Sequence, residues 1–193
     1  MIIKSKQIYF LMLLLISSLI LGSCNKNKPS PKPYVYFRID LPEKEYQEYE
    51  GECPYSFEYP VYSYLYADST ESCWLNIYYP YHKATIYLTY KDVENNFRSH
   101  MEDSREFVYK HTVKADAISE TFYEDYDKQV YGILYDIKGD AASSVQFFVT
   151  DSTQHFLRGA LYFEFRPNTD SLAPVITSIR EDIVHIFESL TWE

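Results

Sequence analysis

The sequence predicts an α+β domain, a mainly antiparallel sheet with helices packed on it. Three observations carry this. Several short runs alternate apolar and polar residues with the period of a half-buried strand, and turn residues link them as hairpins. Two longer segments repeat their apolar residues with helical period. The order is strands, helix, strands, helix, which favours hairpin pairing over crossover connections.

Taken in order, Tyr34 to Ile39 is a β-rich run stopped by Asp40-Leu41-Pro42, and Glu43 to Glu52 reads as an acidic surface loop. Ser56 to Tyr59 and Val61 to Ala67 are tyrosine-rich strands broken at Pro60, and Asp68 to Ser72 is a turn. Trp74 to Tyr79 and Ala84 to Tyr90 form a hairpin in which Ala84, Ile86, Leu88 and Tyr90 share one face. Asp92 is positioned to cap a helix through about Lys110, with Val93, Phe97, Met101, Ser104 and Val108 on one side. The opposite side is ordinary solvated surface, with Glu94 and Arg98 an attractive pair and Glu102 and Glu106 a repulsive one. His111 to Asp127 is ambiguous and reads as a short helix and a loop.

A meander follows: Val130 to Ile137, Ser143 to Thr150 with Val145, Phe147 and Val149 inward, and His155 to Phe165, separated by turns at 138–140 and 151–154. The chain closes with a helix capped by Asp170 or Ser171. Pro174 falls in its first turn, where a missing N–H costs nothing. Its apolar stripe is Leu172, Ile176, Ile179, Ile183, Ile186 or Phe187, and Leu190, and Trp192 completes the packing.

The first 24 residues set the compartment. Lys4 and Lys6 precede an apolar run from Ile8 to Ile20, the length of a signal-peptide core and short for a membrane span. Leu21-Gly22-Ser23-Cys24 then matches a bacterial lipobox. Small residues admit the peptidase before Cys24, whose sulfur receives the lipid. The competing readings are an ordinary secretory signal, or an uncleaved anchor, with a chance cysteine. The division is thus 1–23 signal peptide, 24–33 lipidated cysteine and Pro/Lys tether, and 34–193 a single globular domain. The tether has three prolines and no large apolar residue, so it is expected to stay extended.

Composition narrows the function classes. The formal net charge of the 193 residues is −10, and loss of Lys4 and Lys6 takes it to −12, which argues against nucleic-acid binding. Five glycines leave no room for a Gly-rich phosphate loop. The 21 tyrosines suit half-buried sheet faces, and also sugar- or protein-recognition surfaces. With Cys24 lipidated, Cys53 and Cys73 remain as an even pair in an oxidising compartment, and a Cys53–Cys73 disulfide is expected; the alternative is two buried free thiols.

Site chemistry is sparse. No two of His82, His100, His111, His155 and His185 have metal-ligand spacing on a clear helix face, so no metal and no cofactor is expected. Ser143 or Ser144 with His155 and Asp151 has the residue types of a hydrolase, but no nucleophile-elbow motif accompanies them, and Asp and Ser serve turns equally well. The acid pairs Glu102-Asp103 and Glu124-Asp125 read as exposed charge. No catalytic residue is assigned, and the chain reads as a non-enzyme.

The element order is similar to the PsbP/Mog1 type of α/β/α sandwich. At the level of residues, the chain resembles the gliding-motility lipoprotein GldD family of the Bacteroidota. Tyr36 to Pro42, Cys53 to Pro60, Cys73 to Ile77, Tyr109 to Asp116, Ala142 to Thr153, His155 to Phe163 and Asp170 to Ile176 carry the resemblance. It implies a cell-envelope lipoprotein needed for gliding, tied to the other gliding lipoproteins and to type IX secretion. No catalytic residue is carried over. The alternative reading, from the tyrosine excess, is a periplasmic glycan- or peptidoglycan-binding module. Asn25-Lys26-Asn27-Lys28 lacks a run of acids, which points to a domain facing the periplasm.

Overall fold

The computed structural model describes residues 9, 10, 12, 39–69, 71, 73–165 and 169–193. The lipobox with Cys24, the tether and all but the last residue of the strand expected over Tyr34 to Ile39 lie outside them, and Ile39 is not in a strand. The described residues from Ile39 to Glu193 form one compact unit.

Its centre is a seven-stranded antiparallel sheet in the order β4-β5-β6-β10-β9-β8-β7. The strands are β4 (Tyr64–Ala67), β5 (Leu75–Tyr79), β6 (Ala84–Asp92), β7 (Ala115–Asp125), β8 (Val130–Gly139), β9 (Ser143–Thr150) and β10 (His155–Phe163). Short strands β1 (Tyr46–Glu48) and β3 (Glu58–Pro60) pair with each other, and β2 (Tyr55–Ser56) pairs with the C-terminal β11 (Thr191–Trp192). Helix α1 spans Phe97–Tyr109 and α2 spans Thr169–Ser189. The expected α+β class and mainly antiparallel sheet are what is found.

The two helices cover opposite faces of the sheet. Val175, Ile179, Ile183, Ile186 and Phe187 of α2 pack on Ile77, Ile86, Leu134, Val145, Phe147, Val149, Leu157 and Leu161. Val108 of α1, with Val93, Phe97 and Met101 beside it, packs on Tyr135, Ile137, Phe148 and Phe156. Central strand β9 is therefore buried along its whole length, not only at Val145, Phe147 and Val149. Each fully buried side chain of this size contributes about 1.5–3 kcal/mol of transfer free energy. On the α2 face Phe147 lies across Gly159, where an added Cβ would come 2.1 Å from the ring. That close approach lets Phe147 reach Phe187, ring edge to ring face at 5.3 Å.

Several boundaries differ from the sequence reading. The Glu43 to Glu52 loop contains β1, and residues 61–63 form the turn that follows Pro60 at the end of β3. Asp92 ends β6, paired with His155, so α1 starts later, after Asn96. Glu94 consequently precedes the helix. Arg98 bridges Glu102 at 3.1 Å, and Lys110 bridges Glu106 at 2.9 Å, instead of the pairs expected. The ambiguous 111–127 segment is a 3-10 turn (Lys110–Val113) and the eleven-residue edge strand β7. Helix α2 already runs at Thr169, which places Asp170 and Ser171 inside its first turn and Pro174 in the next.

Candidate functional site

Three arrangements of side chains stand out, and the hydrolase grouping is not among them. Ser143 pairs with Tyr162 at one end of β9, while His155 follows the turn at the other, seven residues and roughly 20 Å of strand away. Ser143 Oγ donates to the Val145 carbonyl at 3.1 Å, and Ser144 Oγ is buried. Asp151 accepts from the backbone N–H groups of Thr153, Gln154 and His155 at 2.8–3.0 Å and from the Thr153 hydroxyl. Burial would raise its pKa, but these donors outweigh burial and hold it below the ordinary value. Asp151 is a turn cap. The His155 ring stacks on Trp192 at 5.1 Å and shares a hydrogen bond of 2.8 Å through Nδ1 with Tyr90 Oη. Tyr90 gives its own proton to Asp92, so Nδ1–H is the donor in that contact.

The first arrangement is a buried polar node on α2. Asp182 is 0 % exposed, and its carboxylate accepts from Lys44 Nζ at 2.6 Å, Tyr46 Oη at 3.0 Å and Tyr62 Oη at 3.0 Å. Lys44 also donates to the Ser178 carbonyl at 2.7 Å and to its Oγ at 3.0 Å, which satisfies the ammonium. Burial, then the Asp182 charge, pushes the Tyr46, Tyr62 and Tyr79 phenols far above their usual range. Burial, helped by Lys44 and opposed by Asp182, pushes the nearby His82 imidazole down. One turn on, His185 stacks on Tyr46 at 3.6 Å and its Nε2 meets Glu58 Oε2 at 2.6 Å, and Ser189 Oγ accepts from Glu58 N at 3.0 Å. Ser178, Asp182, His185 and Ser189 thus form a polar seam that fastens residues 44–62 to the helix. A carboxylate with no solvent exposure and three donors is a fastener, not a general base.

The second arrangement is the Cys53–Cys73 disulfide, whose Cα atoms are 5.3 Å apart. It sits in an aromatic cluster of Tyr49, Tyr55, Phe57 and Tyr90, and Tyr55 Oη donates to the Cys73 carbonyl at 2.7 Å.

The third is exposed. Among the described residues, helix α1 packs on β8, β9 and β10 and does not reach β4, β5 or the start of β6 on its side. Strand register lines up Tyr64, Tyr78, Thr85 and Tyr162 in one row across four strands, and Tyr66, Asn76, Tyr87 and Ala160 in the next on the same face. The row between them, Leu65, Ile77, Ile86 and Leu161, points to α2. Tyr64 is 63 % exposed, and Tyr66 and Tyr87 are each 46 % exposed. Tyr66 leans on Tyr78 at 6.4 Å, and Tyr87 meets Tyr162 edge-on at 5.9 Å. The Glu164 carboxylate beside Tyr78 raises that phenol's pKa, chiefly by hydrogen bonding.

Sequence reasoning missed Lys44, Asp182 and the tyrosine rows. The signal for Asp182 was its spacing from Ser178 and His185, one polar line beside the apolar stripe. The signal for the rows was the alternate tyrosines at 64, 66, 78 and 87, which only pairing brings together. Among the described residues, no three His, Cys, Asp or Glu side chains gather to hold a metal ion, and no helix is long and apolar enough to cross a membrane. A family model described as gliding motility lipoprotein GldD matches residues 26–192. No curated protein matches the chain.

Proposed function

The chain belongs to the gliding motility lipoprotein GldD family, and from that membership we propose that it is a non-catalytic accessory or scaffold part of the gliding and type IX secretion machinery. The observation that carries the proposal is the extent of the match, which runs from just after Cys24 almost to the last residue. The charged and polar groupings inside the domain support it, since Asp182 and Asp151 are saturated by structural donors. Lipid on Cys24 holds the domain in the envelope, where each buried acyl CH2 adds roughly 0.8 kcal/mol to membrane binding. The disulfide and the acid-poor Asn-Lys-Asn-Lys after Cys24 support a domain facing the periplasm. Its partners are other envelope proteins of the same machinery.

Deletion of the gene tests this reading. The expected result is loss of colony spreading and of secretion of the motile adhesins, with Cys24→Ala failing to restore either. Normal spreading and normal secretion in the deletion strain would overturn it.

A further inference from the structure

We propose that the tyrosine-paved half of the sheet binds the glycan strand of the cell wall. The surface is made of phenol rings, with an amide at Asn76, hydroxyls at Thr85 and on the rings, and a carboxylate at Glu164. That combination matches a pyranose polymer, whose C–H faces stack on aromatic rings while its hydroxyls seek amide, hydroxyl and carboxylate partners. The first row crosses four strands, about 14 Å at the usual strand spacing, so an extended strand of a few sugars lying across the sheet meets successive rings.

Charge decides among occupants. Neither row contains a lysine or arginine, and without Lys4 and Lys6 the chain carries −12, so an anionic polymer or lipid surface is disfavoured. A second copy would bring −12 against −12 and one Glu164 towards another. An uncharged sugar backbone meets no such penalty. The acidic peptide branches of a wall strand also have a place. Beyond Tyr162 the surface drops into a groove of about 540 Å³ whose lining includes Lys110, His111 and Lys114, with Asp140 the acid among them. Lys110 is already bridged to Glu106, which leaves Lys114 to meet a carboxylate there.

The inference goes beyond the gliding role and is tested apart from it. Full-length lipoprotein in detergent micelles is sedimented with protein-free peptidoglycan sacculi, with and without a neutral hexamer of N-acetylglucosamine as competitor. The wild type is expected to pellet with the sacculi and to be released by the hexamer. The Y66A/Y87A double variant is expected to lose about tenfold or more of the binding, two ring contacts being removed. The Y66F/Y87F variant, which keeps both rings, is expected to stay within about twofold of the wild type. Circular dichroism and the melting temperature verify that each variant is folded. Failure of the wild type to pellet, equal binding by the alanine variant, or release by salt but not by the hexamer would overturn the proposal. So would a dimer of the wild type that the alanine variant dissolves without any binding to sacculi.

Discussion

The two faces of the sheet are built from the same strands and end in opposite conditions. On one, α2 runs along a largely apolar surface and its polar seam clasps an additional layer of chain, residues 44–62. On the other, α1 shields only the β8-β9-β10 side, and the remaining strands present tyrosine to solvent. Leu65, Ile77 and Ile86 alternate with Tyr64, Tyr78 and Tyr87 in sequence, and a shift of one residue would exchange the faces. The first face is packed along its length, and the part of the second beyond α1 is free to do something else.

Substitutions separate the two faces by size of effect. Phe187→Ala removes a ring that meets Phe147 and Tyr123, and is expected to cost about 3–5 kcal/mol in urea unfolding. Asp182→Asn strands the Lys44 ammonium. The expected loss is about 3 kcal/mol, the low end for a broken buried pair, since Lys44 retains some access to water. Replacing both Cys53 and Cys73 by serine opens a 20-residue loop and is expected to cost about 3 kcal/mol.

A smaller effect comes from pH. The folded pKa of His82 lies below its ordinary value of 6.5, so on acidification the unfolded chain takes the proton first. The stability tied to neutral His82 is full above about pH 6.5 and falls as pH drops through the folded value. The expected drop in melting temperature between pH 7.5 and 5.5 becomes shallower in His82→Gln; an unchanged slope would remove His82 from this account. The smallest effect belongs to the open face. Tyr87→Ala is expected to shift stability by no more than about 0.5 kcal/mol. A loss there as large as that of Phe187→Ala would show that the tyrosine face is a second core.

What could be read from sequence follows the same division. The meander, both helices and the buried row Ala84, Ile86, Leu88 and Tyr90 were legible because periodicity reports which side is dry. β7 was not, because its edge position leaves Ala115 to Asp125 with charges on both sides and only Ile118, Phe122 and Tyr123 as large apolar groups. β1 was masked by Glu48 and by the acids that flank it, Glu43, Glu45 and Glu50. Lys44 and Asp182 are 138 residues apart and are joined only by tertiary packing, which no local pattern encodes. Ser143, Asp151 and His155, set aside in the sequence for want of a nucleophile elbow, are divided by the fold, with Ser143 at the far end of β9 from the turn that holds Asp151 and His155 together.

The clasp of Lys44 on Asp182 also fixes how the molecule carries load. With lipid on Cys24 as proposed, any pull from the membrane would enter the described chain at Ile39, five residues before Lys44. The force meets the Lys44 ion pair and the phenol donors of Tyr46 and Tyr62 side by side, all held on one helix. Should that clasp yield, peeling halts at Cys53, because the bond to Cys73 hands the tension to the lead-in of β5 and leaves the chain between them slack. The domain is therefore built with a latch and, behind it, a covalent stop.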